Sequence, residues 1–520
     1  MKKIVSLLLV CALALGLMSS AFAYTTEEGF ELPITTEKKT LSLWLPAGDV
    51  VFKTVSNQGE SYYFQEMEKR TGVHIDVIHP TVGNEVNELN MLIASGKMPD
   101  MIAPPFGWSY PTGFDGAVED GVFLDINELV EKECPNYWKA LHLNNDIWRE
   151  AVTDNGRIAG FWNVSVNGAQ PPFMGEVVRK DWLDDLGLDL PVTYDDWHTM
   201  LVAFKEQKGC DAPMMLYYTG FDPMNVFVGG FGVTETFFQK DGVVKYGPLE
   251  QGYKDYITMM AQWYQEGLID PDFASNKNFL PAQDYTTTEK TGAFYEQYLD
   301  LSMLKSRSDN PNYNAVAVST PRVNPEDELH VRQTSFEVGS SAWIITASCQ
   351  DPVLAAKWCD YAYTVEGDLL ASYGQEDLCW TYNADGKPEF TEYMYNNPDG
   401  LSLAEAYHYY AKLGGAGYYH WDREFAGMPQ SDLDAMTTWK TDNDAAYVLP
   451  GTLSMTSDEA SEYANIMNDI ETYRSEMVVN FILGVEPIEN YDAFVENIKA
   501  MNIDRALEIK QASYDRFNKR

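Results

Sequence analysis

Basic residues are scarce in this sequence. Lysine and arginine together number 37, against 78 aspartates and glutamates, which gives a formal net charge of −41 over 520 residues. A surface of this sign repels nucleic acid and anionic lipid, so neither is an expected partner. A chain of this length is also too long for one compact core, and we expect two or more lobes.

Cysteine is rare as well, and its spacing favours neither a metal site nor a disulfide framework. Of the six cysteines, no two form a C-x-x-C pair. Cys349, Cys359 and Cys379 are close enough in sequence to permit one disulfide. The alternative is that they, like Cys134 and Cys210, are small buried apolar residues. Both interpretations stay open at this point.

Catalytic signatures are missing. The sequence contains no G-x-S-x-G, no phosphate-binding G-x-x-x-x-G-K-[ST] loop and no H-E-x-x-H, and its seven histidines are scattered. We therefore predict no metal and no cofactor. A pair of carboxylates suited to glycoside hydrolysis stays an open alternative, because 78 acidic residues make chance pairs inevitable.

Long apolar runs are limited to one. Lys2 and Lys3 precede the apolar run Ile4–Met18, and Ala21-Phe-Ala23 follows as a small-x-small site. This order predicts a signal peptide over residues 1–23 and cleavage after Ala23, since a membrane span takes about 20 apolar residues. We expect a secreted, periplasmic or cell-surface protein without membrane insertion. A lipid on Cys11 is the alternative, disfavoured by the large Val10 before it.

Aromatic residues are abundant: 13 Trp, 32 Tyr and 24 Phe. An aromatic face stacks on the C–H side of a sugar ring while carboxylates and amides bind its hydroxyls. Exported acidic chains rich in tryptophan and tyrosine often bind carbohydrate in this way. Any single ring is nevertheless more often part of a core.

The first hundred residues alternate strands and helices. The pattern predicts strands over 40–46, 73–78 and 101–103, separated by helices over 60–70 and 84–95. Such a unit forms a parallel sheet with helices on its faces, and its ligands lie beyond the carboxyl ends of the strands. Residues 104–111, including Trp108, should therefore lie at the edge of a cleft.

Further elements follow along the chain. The pattern predicts helices over 181–186, 194–204, 253–266 and 351–364, and strands over 292–295, 315–318 and 342–346. The last part, from Leu453, is predicted to be mostly helical.

Four blocks, in order along the chain, resemble a known family. They are Met91-Leu-Ile-Ala-Ser-Gly-Lys-Met-Pro-Asp100, Arg179-Lys-Asp-Trp-Leu-Asp-Asp-Leu-Gly-Leu188 with Trp197, a later helix with Lys357-Trp-Cys-Asp360 and Glu366-Gly367, and a tail with Phe481-Ile-Leu-Gly484 and Tyr514-Asp-Arg516. Together they resemble the family 1 extracellular solute-binding proteins of ABC importers, in particular the large members that bind oligosaccharides.

This resemblance implies an α/β fold of the periplasmic-binding-protein type: two lobes, each a mostly parallel sheet flanked by helices, and a helical C-terminal region. Lobe 1 is predicted to comprise residues 24–158 and 285–348, and lobe 2 residues 159–284 and 349–520. It also implies a monomer that closes on a carbohydrate by hinge motion and delivers it to the permease of an ABC importer, without chemistry on the ligand.

One part of the family pattern is missing. Many relatives carry an Asp/Asn/Gly-rich calcium loop after the central helix, where this sequence reads Lys205-Glu-Gln-Lys-Gly-Cys-Asp211. The resemblance therefore implies no metal here.

Three segments are predicted to meet in the cleft: the loop with Trp108, the strand with Trp162 and Asn163, and the aromatic stretch 418–423. Trp162 is the principal candidate for stacking on a sugar, and the other candidate ligand-binding residues are Trp421, Trp108, Tyr418, Asp422, Arg423, Tyr295, Trp343 and Asn163. The alternative for residues 418–425 is packing onto their own lobe.

The arginines near these segments, Arg157, Arg179, Arg322 and Arg423, are dispersed. Since clustered arginines favour bidentate carboxylate binding, we expect a mostly neutral oligosaccharide. Two other function classes stay open: an exported glycoside hydrolase, and a receptor for a peptide or another non-sugar solute. The sequence names neither the sugar, its chain length nor the permease.

Overall fold

The structure is a computed structural model that describes residues 23–105, 108–169, 171–216, 226–276, 280–330, 337–412, 414–441 and 446–520. Residues 1–22, which hold most of the predicted signal peptide, lie outside these ranges.

The described strands are, in chain order, β1 (Tyr24–Thr25), β2 (Glu31–Leu32), β3 (Lys39–Trp44), β4 (Val73–Ile78), β5 (Met101–Ile102), β6 (Phe161–Ser165), β7 (Met174–Arg179), β8 (Met214–Met215), β9 (Phe237–Lys240), β10 (Val243–Tyr246), β11 (Ala293–Gln297), β12 (Ala315–Ala317), β13 (Val338–Ile345), β14 (Trp380–Tyr382), β15 (Pro388–Phe390) and β16 (Gly417–Tyr419).

The described α-helices are α1 (Tyr62–Thr71), α2 (Glu85–Ser95), α3 (Gly113–Glu119), α4 (Asn127–Glu133), α5 (Pro135–Leu141), α6 (Asn145–Ala151), α7 (Lys180–Leu186), α8 (Tyr194–Ala203), α9 (Gln251–Gln265), α10 (Leu280–Thr287), α11 (Leu301–Arg307), α12 (Pro352–Tyr361), α13 (Val365–Tyr373), α14 (Glu392–Tyr395), α15 (Leu403–Tyr410), α16 (Trp421–Phe425), α17 (Gln430–Thr441), α18 (Ser457–Leu483), α19 (Tyr491–Ala500) and α20 (Ile503–Phe517). A π-helical turn (Phe204–Lys208) extends α8.

Several elements begin and end where local chemistry requires it. Thr193 caps α8 through a capping box with Asp196. Asp351 caps α12, with Pro352 at its first position. Gly72 ends α1 with φ 77°, and a Cβ there would lie 2.1 Å from the Thr35 carbonyl oxygen, so only glycine fits.

A six-stranded sheet, here called the first sheet, has the order β16-β6-β13-β5-β3-β4. The strands β3, β4, β5, β6 and β16 run in one direction, and β13 runs against its neighbours β5 and β6. Helices α12 and α13 and buried residues from 126–164 pack against the sheet and form the core of lobe 1.

A four-stranded sheet, the second sheet, has the order β12-β7-β11-β8. Of the neighbouring strand pairs in this sheet, β8 and β11 are parallel. Strand β7, which follows β6 of the first sheet along the chain, is antiparallel to both of its neighbours, β11 and β12. Helices α8, α9, α18, α19 and α20 contribute to the core around this sheet, which is the core of lobe 2.

Three segments of chain cross between the sheets. They connect β6 to β7 (166–173), β12 to β13 (318–337) and β16 to α17 (420–429). All three meet the first sheet at the edge where β6 and β16 end and β13 begins. This is the carboxyl edge of the sheet, so lobe 2 lies beyond that edge.

The sheets divide the chain differently from the predicted lobe boundaries. Strand β6 and helices α12 and α13 belong to lobe 1, whereas β11 and β12 belong to lobe 2. The two-lobed α/β fold class is confirmed, and the tail from Ser457 is helical as predicted. The boundaries differ because local periodicity identifies a strand but not the sheet that it joins.

The C-terminal helices connect the two lobes through an ion cluster. Asp154, in a turn of lobe 1, accepts hydrogen bonds from Arg516 (2.6 Å) and Arg520, and Arg516 also pairs with Glu459 at the start of α18. The side chains of Asp154 and Arg520 are almost completely buried. We call Asp154, Glu459, Arg516 and Arg520 the interlobe ion cluster.

Five cysteines lie in the described ranges, and all five are free thiols. Cys349 is half-buried and the other four are buried, which agrees with the interpretation as small apolar residues. Burial raises the pKa of Cys379 to about 11 and that of Cys349 to about 12. Within the described part of the chain, no helix has the length and apolar character of a membrane span.

Candidate functional site

A cavity of about 220 Å³ lies at the carboxyl end of β5, on the face of the first sheet that carries Trp162, Ala342 and Ile344. Its lining combines the loop after β5, α3 and the residues that flank it, and residues in or next to β6 and β13: Pro104, Pro105, Trp108, Ser109, Tyr110, Gly113, Phe114, Phe123, Ala159, Trp162, Ala342 and Ile344. We call it the Trp108–Trp162 cavity.

Trp162 is held rigidly in this cavity. It lies in β6, half-buried, and its indole N–H donates to the carbonyl oxygen of Ala151 at the end of α6 (3.2 Å). Its backbone carbonyl accepts a hydrogen bond from the Tyr363 hydroxyl. These contacts fix the ring orientation, so the exposed part of the ring is preorganised to contact a ligand.

Trp108 occupies the opposite wall. Its indole N–H donates to Asn90 Oδ1 on α2 (3.0 Å), and its ring packs edge-on against Phe123. The structure thus brings the loop after β5 and the strand of Trp162 together in one cavity, whereas the third predicted segment, 418–423, does not line it. Phe106 and Gly107, in the same loop, lie outside the described residues.

The register of β13 decides which of its residues reach the cavity. Ala342 pairs with Trp162 and Ile344 with Ile102, and both face the cavity. Trp343 points to the other face, where it stacks on Trp358 with ring centroids 5.1 Å apart. Trp343, a candidate ligand-binding residue, is thus a buried core residue at 2% exposure.

The aromatic stretch 418–423 divides between two environments. Tyr418, on β16, packs edge-on against Tyr363 within lobe 1. Arg423 is buried, donates to the Ser372 carbonyl (2.9 Å), lies over the Tyr407 ring and pairs with Glu424. Its guanidinium therefore has a structural role, as the alternative of local packing predicts for this residue.

Trp421 and Asp422 lie on the crossing segment itself. The Trp421 ring is half-buried, 4.4 Å from the Tyr419 ring, and its buried indole N–H has no hydrogen-bond partner among the described residues. Asp422 is exposed and accepts a hydrogen bond from Asn167, on another crossing segment. Asn163 is buried beside Gly339, and its Oδ1 also lacks a partner within the described ranges.

The edge of lobe 2 that faces the crossing segments is aromatic too. Phe173 and Tyr298 pack edge-to-face at 5.4 Å, and Phe425 packs into the lobe 2 cluster of Val177 and Trp439. Burial and the nearby Glu424 carboxylate raise the pKa of Tyr298. Tyr295, another candidate, is 1% exposed, packs against Met174 and does not line the cavity.

The arginines near these segments are engaged with acidic partners. Arg157 contacts Asp115 (2.9 Å), Glu119 and Asp125. Arg179 is buried against Asp181 and Glu289 in lobe 2. Arg423 pairs with Glu424 as well, so each of these three arginines has a carboxylate partner.

Sequence reasoning missed several lining residues. Phe114 and Phe123 come from α3 and the loop after it, and Ala159 precedes β6. The N-terminus of α3 directly follows the loop of Trp108, and this proximity is the available signal for Phe114. Phe123 had no such signal, because its position depends on a bridge to Thr346 after β13.

A larger cavity, of about 610 Å³, lies elsewhere on lobe 1. It is lined by Glu66, Lys69 and Arg70 of α1 and by Glu366 of α13, among others. These residues lie near the amino end of β4, at the edge opposite the crossing segments. Because strand-end sites form at carboxyl edges, the Trp108–Trp162 cavity is the better candidate.

Two α/β lobes joined by three crossing segments, with an aromatic cavity on lobe 1, define a two-lobed binding protein. The chain belongs to the family of bacterial extracellular solute-binding proteins, whose model matches residues 54–368.

Two comparisons extend over nearly the whole chain. The fructooligosaccharide ABC transporter substrate-binding protein FusA of Streptococcus pneumoniae serotype 4 (strain ATCC BAA-334 / TIGR4) is 24% identical over 94% of this chain and 92% of its own length. The crystal structure of the alginate-binding protein AlgQ2 without calcium ion superposes with a TM-score of 0.72, at 20% identity, over 93% of this chain and 99% of that one. The structural similarity shows the fold.

A third comparison covers part of the chain. The polygalacturonan/rhamnogalacturonan-binding protein YtcQ of Bacillus subtilis (strain 168) is 23% identical over 58% of this chain and 59% of its own length. In the described ranges, no three His, Cys, Asp or Glu side chains are grouped so that they could hold a metal ion.

Proposed function

We propose that this protein binds a neutral oligosaccharide between its lobes and delivers it to the permease of an ABC importer. The observation that carries the proposal is the Trp108–Trp162 cavity, with two fixed indole rings beside the carboxyl end of β5. The names of the relatives support a carbohydrate ligand, though not its neutrality: fructooligosaccharide, alginate and polygalacturonan or rhamnogalacturonan binding.

Aromatic walls suit a sugar because each pyranose ring has an apolar C–H face. An indole ring that contacts this face removes apolar surface from water without a requirement for charge. Asn163 Oδ1 and the Trp421 indole N–H, which lack protein partners in the described ranges, lie outside the cavity lining, on β6 and on the third crossing segment. Stacking together with a few convergent polar groups is typical of carbohydrate sites.

A neutral ligand is favoured by the electrostatics. Arg157, Arg179 and Arg423 already pair with carboxylates, so they are not available to an acidic sugar. The chain also carries a net charge of −41, which opposes the approach of an anion at long range.

Binding, rather than hydrolysis, follows from the cavity lining. A glycoside hydrolase needs two carboxyl groups on either side of the scissile bond. The described lining of the cavity contains no aspartate, glutamate or histidine. We therefore propose a receptor that closes by hinge motion and leaves its ligand unchanged.

Calorimetry with a panel of neutral oligosaccharides, acidic oligosaccharides and short peptides tests the function. We expect binding heat and an increase in melting temperature for a neutral oligosaccharide, with no new reducing ends after prolonged incubation. Tight binding of a peptide, salt-sensitive binding of an acidic sugar, or release of reducing ends would each contradict the proposal.

We also propose that the chain is exported, cleaved after Ala23, and acts as a monomer. The Ala21-Phe-Ala23 motif and the poor context of Cys11 support cleavage there, and Tyr24 is 42% exposed. Intact mass should give a chain that begins at Tyr24, and light scattering should give the monomer mass. A diacylated chain that begins at Cys11 would contradict the cleavage site.

A further inference from the structure

The Trp108–Trp162 cavity offers a ligand few polar partners. The indole N–H groups of Trp108 and Trp162 donate to Asn90 and to the Ala151 carbonyl, and the Tyr110 hydroxyl donates to Asp120 (2.8 Å). Ser109 is the remaining described lining residue with a polar side chain, and it is exposed to solvent. The aromatic walls therefore present ring carbons rather than hydrogen-bonding groups.

The side of the cavity that meets the sheet is also hydrocarbon. Ala342 and Ile344 of β13 contribute a methyl and a branched side chain, and Phe123 lies beside them at 3% exposure. Ile344 and Phe123 belong to the buried cluster that contains Trp44 and Ile102. No described side chain on this side donates or accepts a hydrogen bond.

This lining discriminates between chemical groups on a sugar. A hydroxyl enclosed here would lose its hydrogen bonds to water without replacement, which is unfavourable. A methyl group in the same place would gain from removal from water and from contact with the rings. A volume of about 220 Å³ also limits the occupant to a small part of an oligosaccharide.

We propose that the Trp108–Trp162 cavity binds the methyl-bearing side of a 6-deoxyhexose unit within the oligosaccharide ligand. This inference rests on the proposed function and specifies its substrate class. The deoxy sugar places its methyl group toward Ala342 and Ile344, and its hydroxyls face the open side of the cavity, where Ser109 is exposed.

Calorimetry with matched ligand pairs tests the proposal on the full mature protein. The pairs are 2′-fucosyllactose with its L-galactosyl analogue, and a rhamno-oligosaccharide with its L-manno analogue, which differ only by a hydroxyl on carbon 6. We expect the deoxy member of at least one pair to bind at least about tenfold more tightly, equivalent to about 1.4 kcal/mol. Equal or tighter binding of the hydroxylated members would overturn the inference.

Ala342→Ser tests the location, because it adds a hydroxyl to the hydrocarbon side of the cavity. The affinity ratio in favour of the deoxy ligand should decrease at least about threefold. Expressed as free energy, this is roughly half of the tenfold preference expected for the wild type. Ala317→Ser, on β12 in lobe 2, is the matched control and should leave the preference unchanged. An unchanged preference in Ala342→Ser would contradict the location, and the wild-type comparison still decides the preference if this variant does not fold.

The outcomes also separate this inference from the proposed function. If a neutral oligosaccharide without deoxy sugars binds tightly and neither deoxy ligand binds, the substrate class is wrong while the receptor function stands. If no neutral oligosaccharide binds, the proposed function fails as well.

Discussion

Trp162 has two roles, as part of the cavity wall and as the donor of a structural hydrogen bond. Its ring lines the cavity, and its N–H donates to Ala151. Substitution with alanine removes both, whereas phenylalanine keeps an aromatic face and removes only the hydrogen bond. The two variants therefore distinguish ligand stacking from support of the fold.

We predict that Trp162→Ala weakens oligosaccharide binding roughly thirtyfold, which corresponds to a loss of about 2 kcal/mol of binding free energy. This is the effect expected when a ring that fills a desolvated pocket is removed. Trp162→Phe should lose less. Calorimetry measures both, with Trp138→Ala as control, since Trp138 packs against His142 and Trp148 outside the cavity. Unchanged affinity in Trp162→Ala would show that this ring is not part of the ligand site.

The sequence alone predicts that the ligand-free stability of Trp162→Ala is nearly unchanged. The structure modifies this expectation, because Trp162 packs partly against the core of lobe 1. Loss of that packing and of the bond to Ala151 should lower the melting temperature measurably, so affinity must be compared at a temperature where both proteins are folded.

Glu150 introduces a pH dependence near the hinge. Its carboxylate accepts hydrogen bonds from the backbone N–H groups of Glu337 and Val338, both 2.9 Å, where the second crossing segment enters β13. Burial raises the pKa of Glu150 to about 7, and repulsion from Glu337 and Asp146 adds to this shift. The two backbone N–H groups stabilise the carboxylate and oppose the shift only in part. The protonated form is thus favoured more in the folded than in the unfolded protein.

A raised pKa in the folded state contributes stability below the ordinary value near 4.5, and this stability is lost as the pH rises through 7. We predict that Glu150→Gln, which cannot ionise, removes this decrease: its melting temperature relative to wild type should be higher at pH 8 than at pH 5. Thermal unfolding at both pH values measures this. The control Glu206→Gln, at an exposed position, should show no difference between the two pH values. If Glu150→Gln also shows no difference, Glu150 is not the source of the pH dependence.

At this scale the sequence predicts residue types better than residue orientations. Tryptophans as cavity walls follow from composition and strand ends, and Trp108 and Trp162 indeed line one cavity. The strand of Trp343 is also predicted correctly. Because consecutive side chains of a strand point to opposite faces of the sheet, Trp343 lies in the core while its neighbour Ala342 faces the cavity. Register depends on the partner strand β6, which the local sequence does not identify.

Among the elements, the contact between β7 and α17 is especially close. A Cβ on Gly175 would lie 2.4 Å from the ring of Trp439, which is completely buried. The absence of a side chain at Gly175 lets the helix approach the strand. This contact holds α17, and with it the end of the third crossing segment, on lobe 2.

We predict that Gly175→Ala destabilises the protein by about 1–3 kcal/mol, the usual range when a packed core is overfilled. Urea unfolding measures the change. Gly48→Ala is the control, because a Cβ at Gly48 has no neighbour within 4 Å. Equal stability of Gly175→Ala and wild type would mean that the ring of Trp439 moves without strain.

The regular elements of the first hundred residues are predicted almost to the residue. Strand β4 covers 73–78 as predicted, and α2 begins one residue later than predicted. Periodicity, capping residues and glycine stops are local signals, and they act over these distances. The predicted helix 351–364 corresponds to α12, which ends at Tyr361, three residues earlier than predicted. Thr364 then caps a separate helix, α13.

In the whole molecule, the interlobe ion cluster is the main polar connection away from the crossing segments. Asp154 belongs to lobe 1, and Arg516 and Arg520 belong to α20 and the residues after it. The backbone N–H of Asp154 also donates to Ser454 (2.9 Å), just before α18. Removal of the Asp154 charge leaves two arginines with fewer partners in a buried environment.

We predict that Asp154→Asn lowers the free energy of unfolding by about 3 kcal/mol. This is the lower end of the range for a broken buried ion pair, since Arg516 keeps its contact with Glu459. Urea unfolding measures the cost, and hydrogen exchange of residues 503–517 should increase. Asp469→Asn, exposed on α18, is the matched control. Unchanged exchange in α20 would contradict an anchoring role for Asp154.

The triple crossing has a consequence for how this protein is made. Strand β3 leaves the ribosome early, but its sheet is complete only when β13 and β16 are available, after all four strands of the second sheet. At about 5–20 residues per second, residue 419 follows residue 44 by about 20–75 seconds. Lobe 1 therefore cannot complete its sheet until the second sheet has been synthesised, so the edges of β5 and β6 that pair with later strands stay unpaired through much of synthesis.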